Sequence, residues 1–98
     1  MNKVILITGC SSGFGMLTAA KLAAAGHTIY ATMRNLQKQN DLTMELEKRE
    51  SMCQILHLDV TDDKSINKVL DTIEKQAGRL DVLINNAGYG IGGFFEDL

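Results

Sequence analysis

The segment Thr8-Gly9-Cys10-Ser11-Ser12-Gly13-Phe14-Gly15 constrains the fold of this chain more than any other. It follows an apolar run, Val4-Ile5-Leu6-Ile7, and it opens a helical pattern. A buried strand therefore ends, turns tightly and passes into a helix whose first backbone N–H groups lack intrahelical partners. With the helix dipole behind them, those groups favour a phosphate. In the spacing Gly-x-x-x-Gly-x-Gly each glycine has a use. Gly9 makes the turn, Gly13 lets a pyrophosphate approach bare backbone, and Gly15 lets helix and strand pack closely. An ordinary glycine-rich strand-to-helix turn has the same look, so the rest of the chain has to decide.

The remaining pattern alternates strand and helix. Strand one is read as Lys3–Thr8, and its continuous β-branched run fits a sheet covered on both faces. The first helix is expected over Gly13–Ala25, with Gly15, Ala19, Ala23 and Gly26 forming a small-residue face and Gly26 the C-terminal cap. Strand two is His27–Met33. Asn35 then caps a second helix, Leu36–Arg49, with Leu42, Met44 and Leu46 as its buried positions. Strand three is Met52–Leu58. Thr61 is expected to cap a third helix, in which Ile66, Val69, Leu70, Ile73 and Ala77 follow helical periodicity and which Gly78 closes. Strand four is Leu80–Asn85. Right-handed crossovers turn this βαβ series into a parallel sheet with helices on both faces. The order 3-2-1-4 follows if the glycine turn lies where strand order reverses.

Composition excludes several classes. The chain has 98 residues and a formal net charge of −2, with no lysine/arginine cluster, so nothing favours nucleic-acid binding. No apolar run reaches membrane-spanning length, and Met1-Asn2-Lys3 leads straight into a strand, so a cytoplasmic protein with no membrane partner is expected. Cys10 and Cys53 form no disulfide framework and have no metal-ligand spacing; free thiols are the reading.

Three further features fall just past strand ends, on the edge where open α/β sheets bind ligands. Arg34 follows strand two. There an acid would bind the 2′-OH of NAD, whereas an arginine accommodates the 2′-phosphate of NADP, so NADP is expected over NAD. A solvated surface arginine is the plainer alternative. Ser12 adds a hydroxyl to the same contact. Asp59, with Val60 behind it, follows strand three; its carboxylate can accept from an adenine amino group or help to cap the third helix. Asn85-Asn86-Ala87-Gly88 follows strand four and leaves main chain bare for a nucleotide sugar, or is simply a turn.

Thr8-Gly-x-x-x-Gly-x-Gly, Leu58-Asp59-Val60 and Asn85-Asn86-Ala87-Gly88, in that order, resemble the short-chain dehydrogenase/reductase family over the whole chain, from Lys3 to Leu98. Tyr89-Gly90 and the ending Gly93…Glu96-Asp97-Leu98 are similar too, although Phe94 stands where a proline is common. The resemblance implies a Rossmann-type, doubly wound α/β sheet of four strands and three helices. It implies that residues 1–98 are the N-terminal NAD(P)-binding portion of a longer chain. Its site residues would be Gly9, Ser11, Ser12, Gly13, Phe14 and Gly15 around the pyrophosphate, and Ser12 and Arg34 on the 2′-phosphate. Asp59 and Val60 would meet adenine, and Asn85, Ala87 and Gly88 the ribose.

Family members move a hydride between a nicotinamide and an alcohol or carbonyl, with a Tyr-x-x-x-Lys pair supplying the proton. A lysine cation is what lets such a tyrosine ionise near neutral pH. Tyr30 is followed at that spacing by Arg34, and Tyr89 by Gly93, so no catalytic residue is assigned and the pair is expected beyond this chain. His27 and His57 read as strand residues. A nucleotide-binding module without catalysis is the alternative function. A receiver-like signalling domain ranks last, because strand one ends in Thr8-Gly9 and not in clustered acids. The Val82–Ile84 run, without a neighbour beyond it, leads to an expectation of self-association or marginal stability, which a well-folded monomer at high concentration in sedimentation would contradict.

Overall fold

The computed structural model describes residues 2–86. Strands β1 (Val4–Ile7), β2 (Thr28–Met33), β3 (Gln54–His57) and β4 (Val82–Ile84) form one sheet in the order β3-β2-β1-β4, with every pairing parallel. Helices α1 (Gly13–Ala24), α2 (Asn40–Lys48) and α3 (Asp63–Ala77) make the crossovers. The order reverses at β1, as the glycine turn requires.

The pleat divides the core. Ile5, Ile7, Ile29, Ala31 and Met33 face one side, where Ala19, Ala20 and Ala23 of α1 and Leu42 and Leu46 of α2 cover them. Val4, Leu6 and Tyr30 face the other, under Ile66, Val69 and Ile73 of α3. β1 is therefore buried along its whole length, which is why it reads as an unbroken apolar run. The alanine face of α1 lets that helix sit close to the sheet. β3 is an edge strand and only half-buried, and Met52 before it is exposed.

The expected second helix is two pieces. Asn35 caps a short 3-10 turn, Leu36–Lys38, its Oδ1 accepting from Gln37 N at 3.0 Å. Lys38 N then bonds Asn35 O, and Gln39 N bonds Leu36 O, the tighter i to i+3 pattern. α2 starts afresh after Gln39, whose carbonyl accepts from Thr43 N. Leu42 and Leu46, four apart, share the buried face. Met44 lies two residues from each, on the far side, and is 55% exposed, contrary to expectation.

Thr61 does not cap α3. Its N–H and hydroxyl both donate to Asp59 Oδ1, at 2.9 and 2.6 Å, which closes a turn ahead of the helix. Asp62 is the cap, accepting from Lys64 N at 3.0 Å. Gly78 ends the helix at φ 74°, as expected. Ile66, Val69 and Ile73 are buried, while Leu70 and Ala77 are half-buried at the margin of the same face. The strands are shorter than their apolar runs: β3 omits Met52, Cys53 and Leu58, and β4 omits Leu80, Asp81 and Asn85.

Candidate functional site

The tips of β1, β2 and β4 hold the glycine loop. Thr8 N donates to Ile84 O at 3.0 Å, and Cys10 N donates to Thr32 O at 2.9 Å, so the loop is pinned on both sides. Gly9 turns at φ 68°, a conformation that a side chain would strain. The loop then enters α1 through Ser12, which is extended and makes no side-chain capping hydrogen bond. No acidic residue stands in the first turn of α1. The dipole and the first N–H groups of that helix are therefore left without a built-in anion.

Asn86 locks the loop from β4, and the sequence reading gave it no role. Its N–H donates to Thr8 Oγ1 at 3.0 Å, and its Nδ2 donates to Gly9 O at 3.1 Å. Thr8 Oγ1 in turn donates to Asn85 Oδ1 at 3.0 Å. This chain of bonds gives Gly15 its reason. A Cβ there would lie 2.4 Å from Gly9 O and 2.5 Å from Asn86 Nδ2. The close approach is between α1 and its own preceding loop, with Asn86 wedged beside it, more than between helix and strand. The only advance signal of Asn86 was its place beside Asn85 after an apolar run.

A cavity of about 200 Å³ opens beside this loop, lined by Thr8, Gly9, Ser11, Met33, Arg34, Leu58, Asp59, Val60 and Thr61. The ends of three strands thus meet in one space, and Gly9, Ser11, Arg34, Asp59 and Val60 lie around it. The two Thr61 donors hold the Asp59 carboxyl below the usual carboxylate range, and Arg34 adds to the effect by its charge. Both donors use Oδ1, so Asp59 is an oriented, ionised acceptor. A second cavity, about 370 Å³, lies on the other side of Ser11 and includes Ser12, Gln37, Lys38, Asn40 and Asp41. Gln37 and Lys38 went unread because the sequence pattern placed them in a regular helix.

Other expected residues sit apart from both cavities. Asn85 is tied to Thr8 below the loop. Phe14 is 73% exposed on the first turn of α1. Gly13, at φ 60°, has open space where a Cβ would stand. Ala87, Gly88, Tyr89 and the residues up to Leu98 lie outside the described residues. A roomier cavity, about 430 Å³, lies between β3, α3 and Leu36, and shares no residue with the glycine loop. Its walls include Ile55, Leu56 and Val69 and its rim Lys64 and Lys68; the strand-tip cavity has the convergent polar groups and the bare helix start.

The two thiols are held protonated. Burial pushes the Cys10 thiol up to about 12 and the Cys53 thiol up to about 11. Cys10 Sγ donates to Ile7 O at 3.3 Å. Among the described residues no group of three His, Cys, Asp or Glu side chains is placed to hold a metal. Tyr30 is a core residue whose hydroxyl donates to Gln76 Oε1 at 3.0 Å. His27 accepts from Lys3 N through Nδ1, just before β2. Among the described residues no helix is long and apolar enough to cross a membrane.

A parallel, doubly wound sheet with a glycine loop at its switch point, and oriented polar groups at the neighbouring strand tips, defines a Rossmann-type α/β protein. The chain belongs to the short-chain dehydrogenase family: the family profile described as short chain dehydrogenase matches residues 3–98. It is 42% identical over 94 residues to a 3-ketodihydrosphingosine reductase of Bacteroides thetaiotaomicron, an alignment that covers 96% of this chain and 31% of the relative. Its fold matches that of an actinorhodin polyketide ketoreductase solved with NADPH, with a TM-score of 0.79 and 27% identity over 90% of this chain and 34% of the other. It also matches an NAD+-bound xylitol dehydrogenase, with a TM-score of 0.76 and 29% identity over 89% of this chain and 34% of the other. The chain spans about a third of the length of the curated relatives it matches. The family binds a nicotinamide dinucleotide, and solved structures holding NADPH or NAD+ share this fold.

Proposed function

We propose that residues 1–98 are the NADP-binding portion of an oxidoreductase that moves a hydride between NADP(H) and an alcohol or carbonyl compound. One observation carries this reading: Arg34, Asp59 and Ser11 line a single cavity beside the glycine loop. The chemistry of the cavity fits a nucleotide. The bare first turn of α1 suits a diphosphate, Asp59 is an ionised acceptor for an adenine amino group, and Arg34 is a cation where an NAD-preferring site has an acid. In this reading Gly9, Ser11, Ser12, Gly13, Phe14 and Gly15 surround the diphosphate, and Ser12 and Arg34 meet the 2′-phosphate. Asp59 and Val60 meet adenine, and Asn85, Ala87 and Gly88 border the ribose.

A bound nicotinamide dinucleotide would supply or accept the hydride. The residues of this chain hold it: the amides of the loop bind, the Asn86 clasp keeps the loop in shape, and Arg34 selects the phosphate. The groups that exchange the proton with the substrate are assigned to no residue here, since the hydroxyl of Tyr30 is committed to Gln76 in the core. A reducing, cytoplasmic setting fits the two free thiols. β4 is the outermost described strand on its side of the sheet, and its Val82 is 37% exposed, which supports pairing with a second copy or a further strand.

The test is equilibrium titration of the protein with NADPH and NADH, followed by nicotinamide fluorescence. NADPH is expected to bind more tightly. Arg34→Ala should remove most of that preference, about tenfold for a charge-assisted phosphate contact, and leave NADH binding within about twofold. Tighter binding of NADH by the wild-type protein, or an unchanged preference in Arg34→Ala, overturns the reading.

A further inference from the structure

The cavity beside Ser12 contains a cation that neither the glycine loop nor the residue after β2 accounts for. Ser11, Ser12, Gln37, Lys38, Asn40 and Asp41 line it. Ser11 also lines the strand-tip cavity that contains Arg34, so the two spaces meet at one residue of the loop. We propose that Lys38 is a specificity-determining residue, binding a phosphomonoester on the adenosine ribose in the cavity it shares with Ser12, in concert with Arg34. This inference rests on the NADP reading above and adds to it a residue and a second wall.

Three observations support it. The first is the path of the chain. A regular helix from Leu36 would rise only about 1.5 Å per residue along a single axis. Instead the Asn35–Gln37 contact and the Lys38 N–Asn35 O bond close a 3-10 turn, which sets Lys38 on the cavity wall within one turn of Arg34. The second is charge. Among the described residues neither Arg34 nor Lys38 has a carboxylate within ion-pair distance, although Asp59 shares the cavity of Arg34. Asp41 is the opposing charge in the same cavity. Without Lys38 that cavity would face an incoming phosphate with a carboxylate alone. The third is Ser12, whose hydroxyl makes no capping bond to α1 and lines the same cavity.

The experiment compares wild type with Lys38→Met, which keeps the apolar stem and removes the charge. Titrations use NADPH, NADH, 2′,5′-ADP and 5′-ADP. Lys38→Met should weaken NADPH and 2′,5′-ADP about fivefold, as for an exposed charge pair, and leave NADH and 5′-ADP within about twofold. Lys38→Arg should restore the phosphate-bearing ligands. A thermal melt without ligand checks that the turn stays folded, and a loss shared by all four ligands would mark Lys38 as structural and overturn the proposal. An unchanged NADPH-to-NADH ratio in Lys38→Met overturns the role of Lys38 while the NADP reading stands. A wild-type preference for NADH overturns both.

Discussion

The contact between Gly15, Gly9 and Asn86 makes a sharp prediction. In Gly15→Ala the new methyl would stand 2.4 Å from the Gly9 carbonyl oxygen and 2.5 Å from Asn86 Nδ2, well inside van der Waals contact. The carbonyl is backbone, and the loop that bears it is pinned by the Thr8–Ile84 and Cys10–Thr32 hydrogen bonds, so it yields poorly. Overpacking of this kind costs about 1–3 kcal/mol. Displacing Asn86 would also weaken its bond to Gly9 O, a further loss of about 0.5–1.5 kcal/mol. Alanine's better helix propensity returns up to about 1 kcal/mol in a helix interior, and less this near the start of α1. The net expectation is a loss of about 1–4 kcal/mol, measured by urea unfolding of wild type, Gly15→Ala, Asn86→Ala and the double variant. Removing the Asn86 amide relieves one of the two clashes, so the two substitutions should couple by about 0.5 kcal/mol or more, and the double variant should lose less than the sum. Gly13→Ala is the control. It pays for left-handed backbone, about 1–2 kcal/mol, but it meets no neighbour and should add to Asn86→Ala without coupling. A Gly15→Ala protein as stable as wild type, or strict additivity with Asn86→Ala, would refute the clasp.

Two further outcomes follow from the electrostatics. Asp81 Oδ2 accepts from Val4 N at 2.8 Å and from Arg79 Nε at 2.9 Å, and these bonds, the backbone one foremost, hold its carboxyl below the usual range. A depressed folded-state pKa gives stability that is present above the unfolded value, about 4, and is lost as pH falls through the folded one. Asp81→Asn should therefore be less stable than wild type at pH 7, and the gap should narrow as pH drops below about 4 in urea titrations. At the thiols, burial pushes Cys10 up to about 12 and Cys53 up to about 11, so little thiolate exists at pH 8. Both should resist iodoacetamide in the native protein and react once it is unfolded in urea, read by mass spectrometry; rapid native labelling of Cys10 would contradict its burial.

Most of the fold was legible because its signals are local. β1, β2 and β4 are apolar runs, α3 has a clean heptad-like face, and Gly78 marks its end, so the order of elements and the sheet follow from the sequence. The misreadings came where one polar side chain chose between two local partners. Asn35 suits the cap of a long helix by residue type, yet its short side chain serves a 3-10 turn just as well, and periodicity is too weak over Leu36–Arg49 to expose the break. Thr61 and Asp62 are both good caps by type. Asp59, two residues before Thr61, claims the threonine, and only the three-dimensional turn decides the matter. Met44 was an error of periodicity, since residues spaced i, i+2, i+4 cannot share one side of a helix.

Asn86 is a different case, because its role depends on a partner 77 residues away. Read along the chain it is one polar residue in a turn. In the folded sheet β4 lies beside β1, and that adjacency alone brings the Asn86 amide to the Gly9 carbonyl. The glycine loop is thus completed from the strand after the last crossover: Ile84 accepts from Thr8, Asn86 donates twice, and Gly15 must stay bare to leave room. It follows that the loop cannot take its final shape until β4 is in register with β1. Phosphate affinity at the start of α1 should then rise with the docking of β4, and Asn86→Ala should weaken the binding of NADPH and NADH alike, whereas Lys38→Met and Arg34→Ala act on NADPH alone. That contrast separates the residues that shape the loop from those that choose its ligand.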